Sequence, residues 1–139
     1  MRRWSSIIIH HSLTPDSGTV SWGAIRRYHT ETLKYRDIGY HFGIELVGDY
    51  YEILVGRSLD EDGAHTKGMN DVGIGICCVG NYDKEPPPEK MLDRLRVLLK
   101  WLMRDYNIPN DRIYGHRYFA DYKSCPGAFF DIYALRRTL

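Results

Sequence analysis

Two continuous apolar runs predict strands that are buried on both faces. The first covers residues 5–10 and the second covers residues 73–79, and neither alternates between apolar and polar positions. Runs without alternation are typical of strands in sheets that helices cover on two sides. A shorter run at residues 113–114 predicts a further strand.

A pair of β-rich runs in the first half of the chain predicts a hairpin. Residues 40–47 and 50–56 are rich in aromatic and β-branched side chains, and they are separated by Gly48-Asp49. A glycine next to an aspartate favours a tight turn between antiparallel strands. The pattern contains no information on the order of the strands in the sheet.

Helical spacing of apolar residues predicts three helices. The longest covers residues 89–105. Its apolar stripe is formed by Met91, Leu95, Leu98 and Leu102. Another is expected over residues 130–137 at the end of the chain. A first helix, capped by Ser21, carries four residues at helical spacing, which are Trp22, Ile25, Tyr28 and Thr32.

Interleaved strands and helices predict the α/β class. We expect a central mixed β-sheet of about five to six strands flanked by helices. A length of 139 residues fits one domain with its own core, so residues 1–139 are expected to form a single domain.

Charge and hydropathy argue against two classes of partner. Lys plus Arg is 19 and Asp plus Glu is 18, so a net charge of +1 predicts no nucleic-acid binding. No segment approaches the roughly 20 apolar residues of a membrane span. The apolar stretch behind the basic N-terminus is too short for an export signal, so we expect cytoplasmic synthesis. The three cysteines, two of them adjacent at residues 77–78, also indicate a reducing compartment.

Histidine and cysteine residues at the ends of predicted elements indicate a metal site. His10-His11 ends the first apolar run, and His116 and Cys125 flank a loop near the C-terminus. Zn²⁺ prefers imidazole nitrogen and thiolate sulfur, and three protein ligands leave one coordination position open for water. Neighbouring strand residues face opposite sides, so only one of His10 and His11 is expected to bind, and alternation does not choose between them. We therefore predict one Zn²⁺ per chain.

Two residues near this ligand set indicate hydrolytic chemistry. Lys123 lies two residues before Cys125, on the same side of an extended segment. Its ammonium and the phenol of Tyr40 are groups that stabilise an oxyanion as water attacks a carbonyl. The set is typical of an amide hydrolase.

Five ordered motifs carry a resemblance to a known family. They are Ile8-Ile9-His10-His11-Ser12, Gly39-Tyr40-His41-Phe42, Gly63-Ala64-His65-Thr66-Lys67-Gly68-Met69-Asn70, Ile74-Gly75-Ile76 and Lys123-Ser124-Cys125-Pro126-Gly127. In this order and spacing the chain resembles the zinc-dependent N-acetylmuramoyl-L-alanine amidases of type 2, above all the small phage lysozymes. Those enzymes share their fold with the peptidoglycan recognition proteins, so the resemblance implies the same fold here.

The resemblance also implies a role for each member of the site. It implies three metal ligands, which are His10, His116 and Cys125. The resemblance does not imply that the neighbouring His11 is a metal ligand. Tyr40 falls beside the water at the metal, where it orients or deprotonates that water. Lys123 matches the lysine that stabilises the tetrahedral intermediate.

Four further residues are candidates for substrate binding. The resemblance places the loop with His65 and Asn70 beside the substrate peptide, and a structural turn explains both residues equally well. Arg57 is a candidate partner for a muropeptide carboxylate, with the acidic residues 60–62 as alternative partners. Trp22 is a candidate for stacking on a sugar.

The sequence therefore predicts hydrolysis of the amide bond between N-acetylmuramic acid and L-alanine in peptidoglycan. We expect a monomer that acts on the bacterial cell wall after release or delivery, as phage or prophage endolysins do. The alternative is a recognition module that binds peptidoglycan or muropeptides in the same groove without catalysis. Such modules commonly lose the cysteine ligand, so the presence of Cys125 and Lys123 favours the enzyme.

Overall fold

The computed structural model describes residues 2–13 and 22–139, and within them the chain forms a five-stranded sheet and three α-helices. The strands are β1 (Ser6–His11), β2 (Phe42–Val47), β3 (Tyr50–Val55), β4 (Gly73–Cys78) and β5 (Ile113–Gly115). The helices are α1 (Trp22–Arg27), α2 (Glu89–Tyr106) and α3 (Ile132–Arg137). All five predicted strands are confirmed, with ends that shift by at most two residues.

The sheet is mixed, as the sequence predicts, and its strand order is β3-β2-β4-β1-β5. β1 pairs in parallel with both neighbours, with Ile8 opposite Gly75 of β4 and Tyr114 of β5. β2 pairs in parallel with β4 and antiparallel with β3. The hairpin turns at the predicted position, where Gly48 has a φ of +64°.

Alternation along β1 decides which side of the sheet each histidine faces. Every residue of β1 is buried, which confirms a strand covered on both faces. Ile9 belongs to the core cluster under α2, whereas His10 is the register partner of Cys77 and faces the other side. The ring of His11 faces the α2 side, where its Nδ1 accepts a hydrogen bond from the backbone N–H of Tyr82 at 3.2 Å.

Helix α2 covers one face of the sheet with the predicted apolar stripe. Its buried residues are Met91, Leu95, Leu98, Leu99 and Leu102, and they share one cluster with isoleucines of β1, β2 and β4. The helix ends at Asn107, which takes the left-handed conformation and donates its N–H to the carbonyl of Met103. Neither α2 nor any other described helix has the length and apolar character needed to cross a membrane.

The first predicted helix differs from the expectation in its second half. Helix α1 stops at Arg27 and continues as a π-helical turn over Tyr28–Thr32. The hydroxyl of Thr30 donates to the carbonyl of Arg26 at 2.9 Å, a bond that commonly bends helices, and the wider turn buries His29. Ser21, the predicted cap, lies outside the described residues.

Leu98→Ala is expected to lower the free energy of unfolding by about 2 to 5 kcal/mol, because it leaves a cavity under α2. Leu98 is 2% exposed, whereas its neighbour Val97 is 56% exposed. Val97→Ala is therefore the matched control, with an expected change below about 0.5 kcal/mol. Urea unfolding followed by circular dichroism measures both values. Equal losses in the two variants would contradict the packing of α2 described here.

Candidate metal centre

The candidate site lies at the carboxyl edge of the parallel strands. His10 is near the end of β1, and His116 directly follows β5 in a 3₁₀ turn. β4 and β5 flank β1 on opposite sides, and open α/β sheets usually bind ligands at the carboxyl ends of their parallel strands. The following loop returns Cys125 to the same edge, where its carbonyl accepts from the backbone N–H of Arg117 at 2.8 Å.

Three side chains present metal-binding atoms to one point. One ligand atom each from His10, His116 and Cys125 lies within 4.8 Å of the others. Nδ1 of His10 is 3.7 Å from Sγ of Cys125, and the ring centroids of the two histidines are 4.5 Å apart. In a tetrahedral zinc site, with Zn–N about 2.0 Å and Zn–S about 2.3 Å, a nitrogen and a sulfur lie about 3.5 Å apart. The donor set and its spacing therefore fit a zinc ion.

Burial determines the protonation of these groups. It lowers the pKa of His10 well below the usual histidine value, and it lowers the pKa of His116 with help from the ammonium of Lys123. Both imidazoles are therefore neutral at neutral pH and keep a lone pair for a metal. Burial raises the pKa of the Cys125 thiol to about 11. Metal coordination overrides such a shift, because a coordinating thiol is deprotonated outright.

His11 supports the group without joining it. Its ring lies on the α2 side of the sheet, but its backbone N–H points to Sγ of Cys125 at 3.4 Å. A hydrogen bond to the sulfur favours the thiolate form that metal binding requires. Of the two adjacent histidines, the structure thus brings the ring of His10 to the candidate centre, which strand alternation alone did not decide.

Two side chains that the sequence analysis missed hold the ligand loop in place. The guanidinium of Arg117 donates to three carbonyls between residues 124 and 130 at 2.6 to 3.2 Å. The carboxylate of Asp83 accepts from the backbone N–H of Ala128 and the hydroxyl of Ser124, and both bonds lower the pKa of Asp83. The position of Arg117 directly after His116 was a usable sequence signal. No local pattern links Asp83 to Ser124, which lies 41 residues away.

A cavity of about 910 Å³ has the three ligands in its wall, and Tyr40 and Lys123 line it as well. The ring of Tyr40 is 5.1 Å from the ring of His10. Burial raises the pKa of the Tyr40 phenol well above its usual value, so the hydroxyl keeps its proton at neutral pH. The structure thus brings both predicted catalytic residues to the ligand set.

Lys123 reaches this cavity from an exposed loop. Its Nζ lies 5.8 Å from the centroid of the Tyr122 ring, which is 83% exposed and also lines the cavity. Within residues 2–13 and 22–139, no carboxylate forms an ion pair with Lys123. Its ammonium is therefore available to an anionic group in the cavity. His29, which the sequence analysis did not select, lines the wall beside Tyr40.

Of the four predicted substrate-binding residues, His65 lines the cavity. Burial lowers its pKa to about 3, so its ring is neutral. Asn70 supports the loop instead, because its Oδ1 accepts from the backbone N–H groups of His65 and Thr66 at 2.8 and 2.9 Å. For Asn70 the structure agrees with the alternative reading, a structural turn.

Arg57 and Trp22, the other two candidates for substrate binding, are buried away from the cavity wall. The guanidinium of Arg57 is buried and donates to the carbonyls of Ile38 and Asp62, both at 2.9 Å. Trp22 is also buried, and its indole N–H donates to the carbonyl of Val55 at 3.2 Å. Neither residue is part of the cavity wall. Both are committed to backbone carbonyls, which a sequence pattern does not reveal.

A mixed sheet with a His-His-Cys group at its carboxyl edge defines a domain of the amidase and peptidoglycan recognition type. Residues 1–128 match the family Amidase_2, described as N-acetylmuramoyl-L-alanine amidase. The chain belongs to this family, which confirms the resemblance seen in its motifs.

Two kinds of relative are similar to this chain. A peptidoglycan recognition protein of Trichoplusia ni is 39% identical over 127 residues, which cover 87% of this chain and 68% of that protein. An endolysin of Klebsiella phage KP32 is 34% identical over 133 residues, which cover 92% of this chain and 82% of that protein. The chain spans 53% of peptidoglycan-recognition protein LB of Drosophila melanogaster, to which it is 35% identical.

Solved structures confirm the predicted fold class. An endolysin amidase, LysCS from Clostridium intestinale, matches with a TM-score of 0.86 at 26% identity, over 99% of this chain and 84% of that chain. A mutant of Drosophila PGRP-LB in complex with tracheal cytotoxin matches with a TM-score of 0.79 at 31% identity, over 94% of this chain and 79% of that chain.

His10→Ala is expected to abolish stoichiometric zinc binding, because it removes one of three ligand atoms. His11→Asn is the matched control, since the Asn oxygen can still accept from the N–H of Tyr82 and the backbone bond to Cys125 stays. Zinc content by mass spectrometry of the dialysed proteins measures both. Zinc loss from His11→Asn with retention by His10→Ala would reverse the assignment.

Arg117→Met is expected to weaken zinc binding by about 10-fold or more, because the loop that carries Cys125 loses three carbonyl contacts. Competition with a chromophoric chelator measures the affinity. Arg104→Met on the exposed face of α2 is the control and is expected to leave the affinity unchanged. Equal zinc affinity in the wild-type protein, Arg117→Met and Arg104→Met would show that the loop does not need the Arg117 side chain.

Proposed function

We propose that this chain is a zinc-dependent N-acetylmuramoyl-L-alanine amidase that cleaves the bond between the lactoyl group of N-acetylmuramic acid and L-alanine in peptidoglycan. One observation carries the proposal: three metal-ligand atoms lie within 4.8 Å of one another in the wall of a cavity that also contains Tyr40 and Lys123. Three protein ligands and an open fourth position are typical of catalytic rather than structural zinc sites.

The proposed ligands leave the site with a net positive charge. His10 and His116 are neutral and Cys125 binds as a thiolate, so they offset only half of the charge of Zn²⁺. When bound, Zn²⁺ supplies Lewis acidity toward the substrate carbonyl and lowers the pKa of water at its open position to about 7. Proteins with such a site need no carboxylate to generate a nucleophile at neutral pH.

The chain's own groups position the reactants in this proposal. The hydroxyl of Tyr40, which keeps its proton, orients the attacking water beside His10. The ammonium of Lys123 stabilises the negative charge that develops on the carbonyl oxygen as water adds. Such stabilisation is stronger in a cavity than in bulk water, because fewer water molecules screen the charges.

The proposed substrate is peptidoglycan or a muropeptide derived from it. A cavity of about 910 Å³ is large enough for part of a glycan and its stem peptide. Tyr122 and His29 supply polar and aromatic wall groups for such a ligand. We propose that the chain acts as a monomer on bacterial cell walls, in the manner of the endolysins that it resembles.

A recognition module that binds peptidoglycan without cleaving it is the second candidate. Its support is the 39% identity to a peptidoglycan recognition protein. Binding alone needs the cavity, but it needs neither a complete metal-ligand set nor an ammonium beside it. Cys125 and Lys123 lie in one cavity wall with His10 and His116, and this combination therefore favours hydrolysis over binding alone.

The zinc-loaded protein is expected to release new L-alanine amino groups from purified peptidoglycan. Lys123→Met is expected to lower kcat by about 100-fold to 1000-fold, because the developing oxyanion loses its cation. Lys100→Met on the exposed face of α2 is the matched control and is expected to keep the wild-type rate. Colorimetric detection of free amines measures turnover, and mass spectrometry of the fragments identifies the bond.

Two outcomes would contradict different parts of this proposal. Stoichiometric zinc with peptidoglycan binding and no amine release would reject the enzyme and support the recognition module. Full turnover by Lys123→Met would reject the role of this lysine and leave the amidase function standing.

A further inference from the structure

The ring of His65 is enclosed by two glycines from different segments. A Cβ added at Gly75 of β4 would lie 2.4 Å from its Cδ2, and one added at Gly63 would lie 2.5 Å from the same atom. Any other residue at either position would therefore displace the ring. Such close enclosure fixes the orientation of His65, which is more than contact with a substrate requires.

The carbonyl of Gly73 determines which nitrogen of His65 carries the proton. Nε2 of His65 lies 3.0 Å from this carbonyl oxygen. A carbonyl oxygen only accepts hydrogen bonds, so Nε2 donates. In the neutral ring the other nitrogen, Nδ1, is then an acceptor with its lone pair in the plane of the ring.

This acceptor faces the first metal ligand. Nδ1 of His65 lies 2.9 Å from Nε2 of His10. Two nitrogen lone pairs repel at this distance, so Nε2 of His10 carries the proton and donates it to His65. The hydroxyl of Thr66, 2.9 Å from Nδ1 of His65 and 3.3 Å from Nε2 of His10, fits the same arrangement as donor to the former and acceptor from the latter.

The consequence for His10 is a single tautomer. With its proton on Nε2, the other nitrogen, Nδ1, keeps a free lone pair. This is the atom that lies 3.7 Å from Sγ of Cys125, on the side of the metal-ligand group. The chain of bonds from Gly73 through His65 thus ends in a lone pair aimed at the candidate metal position.

We propose that His65 is a positioning residue that holds His10 in the tautomer and orientation needed for metal binding. The inference rests on the proposed metal centre and adds a residue that does not itself bind the metal. Ligand histidines are commonly held by an acceptor for their second nitrogen, often a carboxylate. An imidazole in that place adds no negative charge, so the site keeps its full net positive charge.

Two variants of nearly equal shape test this role. His65→Leu removes the acceptor for His10, whereas His65→Asn retains a side-chain oxygen close to the position of Nδ1. Both variants replace the imidazole ring with a side chain of similar size. A purely structural role of His65 therefore predicts an equal loss of zinc affinity in the two variants. Chelator competition is expected to show zinc affinity reduced by about 10-fold to 100-fold in His65→Leu, with substantial rescue in His65→Asn.

A spectroscopic readout on the metal-free protein tests the tautomer directly. Long-range ¹H–¹⁵N spectra of the wild-type protein with labelled histidine are expected to show His10 protonated on Nε2 and His65 protonated on Nε2. In His65→Leu the Nε2–H tautomer of His10 is expected to lose its dominance. Protonation of His10 on Nδ1 in the wild-type protein would overturn the inference, even if both variants failed to fold.

These readouts separate the inference from the proposed function, since neither needs turnover. Intact tautomers and zinc binding without amine release would reject the amidase and leave the positioning role. Amidase activity together with wild-type zinc affinity in His65→Leu would reject the positioning role and leave the amidase.

Discussion

The parallel pairing of β1 with β4 on one side and with β5 on the other is the constraint on which the candidate site depends. It buries β1 completely and turns His10 toward the face opposite α2. It also brings the end of β5 next to the end of β1, so that His116 meets His10 across the edge. Cys125 then completes the group through a loop whose return is fixed by its own backbone bonds.

Around this edge, buried histidines act as neutral donors and acceptors rather than as charges. Burial is the leading cause of the lowered pKa of His10, His65 and His116. Neighbouring histidines lower the pKa of His10 and His65 further, and the Lys123 ammonium lowers that of His10 and His116. Neutral rings can be packed at centroid distances of 4.5 to 4.9 Å, with His65 edge-on and His116 tilted against His10, without the desolvation penalty of buried ions. The cationic groups lie in the loops, where Arg117 binds carbonyls and Lys123 faces the cavity.

Much of the fold was predictable because its signals are local. Continuous apolar runs identified β1 and β4, the Gly48 turn identified the hairpin, and helical spacing identified α2. The π-helical turn was missed, because a bond from Thr30 to the carbonyl of Arg26 competes with regular helix and leaves no periodic signal. The bonds of Arg57 to backbone carbonyls were also not predictable, because a backbone carbonyl is the same in every residue.

The sequence by itself determined the elements, the family and the types of atom that can meet at the site, because apolar spacing and residue chemistry are properties of the chain. Only the tertiary structure decided which atoms do meet. The register of β1 places the ring of His10, and not that of His11, at the candidate site. Hydrogen bonds from the carbonyl of Gly73 through His65 leave Nδ1 of His10 as the nitrogen with a free lone pair. The physical reason is that strand order and bonds to backbone groups join residues far apart in the chain, and backbone groups carry no residue-specific signature.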